Sequence, residues 1–170
     1  DTSTNIVNSF AKEWVKEGHE VLVIHNSHCF PKIVHEMPSN LKKILAGKMG
    51  FAISDYNAVQ EKEYIDNGAK VIRLPIKKYI PHSQPSNKEI KKQICKIVSN
   101  LKRENFKPDV ITGHWASPQM EIISGLKTIY HCKTAVVLHG TGYIESPKFN
   151  AKKYLNNIDW LGARSLSQAK

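Results

Sequence analysis

Apolar and polar residues alternate along the chain in blocks that predict a helix and then a buried strand. Apolar residues recur at helical spacing over residues 6–15, and Gly18 ends the pattern. Ser3 or Thr4 is the predicted N-cap of this helix. The continuous apolar run at residues 20–25 then predicts a strand that is covered on both faces.

The next blocks predict a short helix, a second helix and another strand. The short helix follows Ser39, and the second helix covers residues 59–65 and ends at the Asn-Gly pair of residues 67–68. An apolar run predicts a strand at residues 70–74, which Pro75 stops.

The second half of the chain repeats the alternation of helices and strands. Ser86 and Glu89 form a capping box that opens a long helix ending at Arg103. The remaining elements are two strands at residues 109–112 and 134–138, helices opened by Ser-Pro pairs at 117–118 and 146–147, and an apolar segment at 158–161. This order predicts an α/β fold, a doubly wound Rossmann-like parallel sheet with helices on both faces.

The length of 170 residues suits a single domain. A doubly wound sheet normally begins with a strand, whereas this chain opens with a polar stretch and a helix. We therefore expect residues 1–170 to be a fragment of a longer protein, with a first strand missing upstream.

The charge balance favours an anionic partner. Lys and Arg number 25 against 15 Asp and Glu, which gives a net charge of +10. Nucleic acid, a phosphate-bearing substrate or an acidic membrane surface would each satisfy that charge. No apolar run approaches the ~18 residues that a membrane-spanning helix needs. The odd number of cysteines favours reduced, inert thiols in a cytoplasmic protein, and Cys95 is predicted to pack within its helix.

Two strand ends carry the candidate site. His114 and Trp115 follow one predicted strand and His139 follows the next, and ligands of open α/β sheets bind beyond the carboxyl ends of the strands. The glycines of the segment Gly140-Thr141-Gly142 would let the backbone approach a ligand. Trp115 could stack on a sugar ring or pack on the following helix.

A loose group of potential metal ligands lies near the second predicted element. A structural zinc site needs four ligands, usually as two pairs at matching spacing, and this group lacks the second pair. We expect no bound metal at its members, which are His25, His28, Cys29 and His35.

Five segments together carry a family resemblance over nearly the whole chain. They are FAKEWVKEGHEVLVI at 10–24, VIRLP at 71–75, PDVITGHW at 108–115, VVLHG at 136–140 and IDWLGARS at 158–165. In this order and spacing, the chain resembles the N-terminal domain of family 4 glycosyltransferases, retaining enzymes of the two-domain GT-B fold.

The resemblance implies transfer of a sugar from a nucleotide-diphosphate sugar, the donor substrate, with no further cofactor. It places His139 beside the reacting sugar and the acceptor hydroxyl, as the catalytic contact. The other implied substrate-binding residues are His114, Trp115, Gly140, Thr141, Gly142 and, as loop residues at a helix N-terminus, Thr2, Ser3 and Asn5. For Ser3 helix capping is an open alternative. The family's glycine-rich loop would map at or just before residues 1–5, where this chain has no glycine.

The implied role is that of the acceptor-side domain, which works with a C-terminal donor-binding domain that this chain lacks. The fragment is therefore expected to be inactive alone. The implied acceptor is a cell-envelope polysaccharide or glycolipid, met in the cytoplasm or at the inner face of an anionic membrane, with no nucleic acid involved. The alternative function is a non-catalytic basic α/β module that binds nucleic acid or another polyanion.

Overall fold

The structure, a computed structural model, shows an α/β chain that forms two compact units, residues 1–85 and 86–170. It describes residues 2–49, 53–79, 84–139 and 149–163, and the side chains of all of these except residues 2–6 and 49.

The first unit has a mixed sheet of three strands in the order β1-β3-β2. Strands β1 and β3 are parallel, and β2 runs antiparallel to β3. Its elements are α1 (Thr2–Lys16), β1 (Leu22–Cys29), α2 (Lys32–His35), α3 (Ser39–Met49), a 3₁₀ helix (Tyr56–Val59), β2 (Lys62–Asp66) and β3 (Ala69–Lys77).

Helix α1 ends where the sequence predicts and begins earlier than expected. Gly18 has a φ of 88°, and its N–H donates to the carbonyl of Val15, which satisfies a free carbonyl of the last turn. At the other end the helix already includes Thr2, so Ser3 and Thr4 lie within its first turn and are not the N-cap.

The helix predicted at residues 59–65 is wrong, because most of this segment is strand β2. Asn67 and Gly68 have φ values of 50° and 85°, and Asp66 pairs with Ala69 across the turn. An Asn-Gly pair with both residues at positive φ is the favoured two-residue hairpin turn. The resulting hairpin makes this sheet mixed, where an all-parallel sheet was predicted.

Strand β3 carries the core of the first unit and runs through Pro75. Ile72, Leu74 and Ile76 are almost fully buried. The N–H of Lys78 donates to the carbonyl of Cys29 at 2.9 Å, so the nitrogen of Pro75 faces away from β1 by the alternation of the strand. It lies beyond the end of β2, where the missing donor costs no ladder hydrogen bond, and the predicted stop at Pro75 is therefore wrong.

The second unit has a parallel sheet of three strands in the order β4-β5-β6, as the alternation of elements predicts. Its elements are α4 (Asn87–Arg103), β4 (Val110–His114), α5 (Gln119–Tyr130), β5 (Lys133–Leu138), α6 (Lys152–Leu155) and β6 (Trp160–Ala163).

Helix α4 confirms the serine half of the predicted capping box and shows one cysteine in a different place than predicted. The hydroxyl of Ser86 accepts the N–H of Glu89 at 3.3 Å, and the helix ends at Arg103. Cys95 is exposed, because it lies beside the buried stripe that includes Ile90 and Ile97.

Helix α5 packs closely on β4 and starts one residue later than predicted. Its first residue is Gln119, so Pro118 is the N-cap residue, and it makes no side-chain cap hydrogen bond. A β-carbon on Gly113 would collide with the side chain of Ile123, so glycine is what lets helix and strand approach here. The apolar core beneath consists of Ala116, Met120, Ile123, Val136, Leu138, Phe149 and Ala151.

Two further points follow from the described residues. The helix predicted to begin at the Ser-Pro pair 146–147 starts outside them. Within them, no helix has the length and apolar character to cross a membrane.

Candidate functional site

The candidate site lies at the carboxyl ends of β4 and β5. His114 is the last residue of β4, and His139 follows directly after β5. The two strands are parallel neighbours, and His114 pairs in register with Val137. The two predicted strand ends therefore meet at one edge of the sheet.

A hydrogen bond joins the two histidine rings. Nδ1 of His114 lies 3.0 Å from Nε2 of His139, so one nitrogen donates the shared proton and the other accepts it. Two protonated imidazoles would set N–H against N–H, and the pair therefore carries at most one positive charge. Burial, and next the charge of His139, lower the pKa of His114. The arrangement therefore disfavours the protonated form of His114.

Trp115 covers this pair with its indole ring. The ring stacks on the imidazole of His139 with centroids 4.6 Å apart and planes 26° apart. Trp115 has a φ of 68°, a backbone conformation that is unfavourable for a large side chain, and its N–H donates to the carbonyl of Val137 at 2.8 Å. This hydrogen bond to β5 holds the strained residue in place and aims the indole toward the histidines.

The three side chains offer a ligand an aromatic face beside a polar edge. Trp115 is 38% exposed and His139 is half-buried, whereas His114 is buried behind them. A half-exposed indole suits stacking on the apolar face of a sugar ring, and an imidazole can donate or accept a hydrogen bond at a hydroxyl. The site can therefore hold a polyhydroxylated ligand and exchange one proton with it.

Sequence reasoning missed a buried carboxyl group in the first turn of α5. Glu121 Oε1 accepts a hydrogen bond from the hydroxyl of Ser117 at 2.7 Å. Its Oε2 is buried and has no hydrogen-bond partner in the structure as described, and burial raises the pKa of the group. Acidic residues are common in the first turn of a helix, where they interact favourably with the helix dipole. The position of Glu121 in the sequence therefore gave no signal that its carboxyl group is buried.

The other predicted substrate-binding residues fall in two groups. Gly140, Thr141 and Gly142 lie outside the described residues. Thr2, Ser3 and Asn5 lie in the first turn of α1 in the first unit and not in a loop, and their role in substrate binding stays a prediction. The helical pattern extends to them because no proline or glycine interrupts it.

The loose group of histidines and Cys29 contains a structural histidine. His35 is buried, its Nδ1 donates to the carbonyl of Ser54 at 2.8 Å, and its Nε2 accepts the N–H of Phe30 at 3.0 Å. Both ring nitrogens are thus engaged in holding the loop after β1. No three His, Cys, Asp or Glu side chains among the described residues are arranged to hold a metal ion.

Neither a protein-family model nor a curated protein matches this chain. A functional assignment therefore rests on the geometry of the site and on the sequence resemblance.

Proposed function

We propose that this chain is the acceptor-side, Rossmann-like domain of a retaining GT-B glycosyltransferase. Its reaction is transfer of a sugar from a nucleotide-diphosphate sugar to a cell-envelope polysaccharide or glycolipid acceptor. The observation that supports it best is the cluster of His114, His139 and Trp115 at the ends of two parallel strands. The parallel order β4-β5-β6 supports a Rossmann-like half.

Each member of the cluster has a role in this proposal. Trp115 stacks on the acceptor sugar ring and so fixes its plane. His139 forms a hydrogen bond to the acceptor hydroxyl and orients it for attack on the donor's anomeric carbon. His114 holds the ring of His139 through the shared proton. Orientation of this kind lowers a barrier by several kcal/mol, up to roughly 7–11 for ideal alignment.

The electrostatics of the cluster suit a neutral acceptor. Burial lowers the pKa of His114, and the shared hydrogen bond leaves the two rings with at most one positive charge, so the pair does not require an anionic ligand. The net charge of +10 provides a longer-range attraction for phosphate-bearing donors and lipid-linked acceptors.

Saccharide binding by the chain tests the proposal. Nuclear magnetic resonance follows the indole N–H of Trp115 and the ring protons of His139 during titration with a panel of mono- and disaccharides. We expect saturable shifts at both residues that His139→Asn weakens at least tenfold, as expected for loss of an oriented hydrogen bond. His131→Asn is the matched control, because His131 is an exposed histidine that caps α5.

The alternative function gives a different result in the same titration. A polyanion-binding module would not bind saccharides. It would bind a nucleic acid or heparin with an affinity that falls steeply as the salt concentration rises. That pattern, with no saccharide shift at Trp115, would overturn the transferase proposal.

A further inference from the structure

The sheet of the first unit carries a row of three basic side chains, one on each strand. Arg73 on β3 pairs in register with His25 on β1 and with Lys62 on β2. Residues that are paired across strands share a face of the sheet and lie about 5 Å apart. The three side chains therefore form a continuous row, the basic row, with Arg73 at its centre.

The 3₁₀ helix fixes the central arginine in place. Nη1 of Arg73 donates to the carbonyl of Ala58 at 2.6 Å, and the hydroxyl of Ser27 on the same face donates to the carbonyl of Val59 at 2.8 Å. Nε of Arg73 is buried without a hydrogen-bond partner in the described structure. The guanidinium is thus held by one neutral contact, which leaves its charge uncompensated.

Two acidic side chains near the row pair with lysines outside it. Glu63 lies on the opposite face of β2, where it pairs with Lys70 at 3.2 Å. Asp55, which precedes the 3₁₀ helix, pairs with Lys42 at 2.8 Å. Within the described ranges, no Asp or Glu forms an ion pair with any member of the basic row.

The positive charge of Arg73 acts on its neighbours in the row in the absence of an anion. Burial, and next the positive charge of Arg73, lower the pKa of His25. Like charges that face each other across strands destabilise a sheet. An anion over the row would turn this repulsion into attraction.

We propose that the basic row of His25, Arg73 and Lys62 binds the phosphate group of a soluble ligand. The guanidinium provides the central charge-assisted contact, and the imidazole and the ammonium group flank it from the neighbouring strands. The planar, always charged guanidinium matches a tetrahedral oxyanion better than a lysine would. This site belongs to the first unit and goes beyond the proposed transfer function.

A titration with inorganic phosphate at constant ionic strength tests this site. The ring protons of His25 report binding, since a bound phosphate stabilises the imidazolium and raises the pKa of His25. Arg73→Gln weakens binding roughly tenfold, as expected for loss of a charge-assisted hydrogen bond. Arg103→Gln removes an equal charge from an arginine that pairs with Glu104, and we expect it to leave phosphate binding unchanged.

Two further arms separate the alternatives. Lys62→Gln changes an exposed residue and weakens binding severalfold, so the test stands even where Arg73→Gln folds poorly. Vesicles of anionic phospholipid distinguish a lipid headgroup from a soluble ligand. Vesicle binding without phosphate binding, an unsaturable response of His25, or an equal loss in Arg103→Gln would each overturn the proposal.

Discussion

The two sheets place histidines in opposite settings. His114 in the second unit has the imidazole of His139 as hydrogen-bond partner and an indole beside it. His25 in the first unit has Arg73 as its neighbour on the next strand. Both have a lowered pKa, and in both the first cause is burial.

The two histidine settings suit different kinds of ligand. The two histidine rings share one proton in a hydrogen bond, so a neutral ligand rich in hydroxyl groups suits this pair. The basic row carries charge that no acid of the described structure neutralises, so an anion suits it. A lowered histidine pKa therefore does not by itself indicate which kind of ligand a site would bind. The groups beside the histidine must also be known.

The largest expected effect comes from removing the packing beneath the histidine pair. Met120 is fully buried in the core that includes Ala116, next to Trp115 in the chain. Met120→Ala should lower the free energy of unfolding by about 2–5 kcal/mol, as for other buried large-to-Ala changes. Urea denaturation measures this, with Ile129→Ala as control, because Ile129 is half-exposed on the same helix. Equal losses for both variants would contradict the packing described for α5.

A smaller effect is expected where α5 meets β4. Gly113→Ala places a methyl group against the side chain of Ile123, which is 2% exposed and has little room to move. The free energy of unfolding should fall by about 1 kcal/mol, and the His114 ring should shift with the strand end. Urea denaturation measures the loss of unfolding free energy, and the nuclear magnetic resonance signals of the His114 ring report its shift. An unchanged stability would show that the close approach is not needed.

A further effect is expected on the acid side of the stability profile, at a carboxyl group of the second unit. Asp159 Oδ2 accepts hydrogen bonds from Lys127 Nζ and from the N–H and hydroxyl of Thr134 at 2.8–2.9 Å. The Lys127 contact, followed by Thr134, lowers the pKa of Asp159 to about 2. The depressed carboxyl stabilises the folded state above its unfolded pKa of about 4, and this stabilisation is lost as the pH falls towards 2.

Asp159→Asn should therefore flatten the fall in melting temperature between pH 5 and pH 2 that the normal chain shows. Asp109→Asn removes an acid outside this hydrogen-bond cluster and serves as the control. A melting temperature that falls equally steeply in the normal chain and in Asp159→Asn would contradict the role given to Asp159.

The smallest expected effects are changes in the pKa values of His25 and His114. They compare the two histidine settings directly. Arg73→Gln should raise the pKa of His25, because it removes a neighbouring cation. It should leave the pKa of His114 unchanged, since His114 lies in the other unit with a different neighbour. Ring-proton titrations measure both values. A rise at both histidines would show that net charge, rather than the local neighbour, sets them.

The strand ends of the site were predictable, because apolar runs that end in histidine are local signals. His114 and His139 could be placed at one edge from the rule for parallel strands alone. The hairpin at Asn67 and Gly68 was misread, although its turn signal is also local, because the preceding residues fit a helical pattern equally well.

Features that depend on long-range pairing could not be predicted. The basic row exists only because of the register that joins His25, Arg73 and Lys62 across β1, β3 and β2. The buried carboxyl of Glu121 depends on how α5 packs, which periodicity alone does not specify.

Sugar transfer by the proposed two-domain transferase tests the central claim most directly. The assay compares His139→Asn with His131→Asn over a panel of nucleotide-diphosphate sugars and acceptors. The account predicts that His139→Asn lowers kcat/KM at least tenfold while melting temperature and donor binding stay unchanged, and that His131→Asn has no effect. Equal transfer by the two variants would contradict the assignment of this strand edge as the acceptor site.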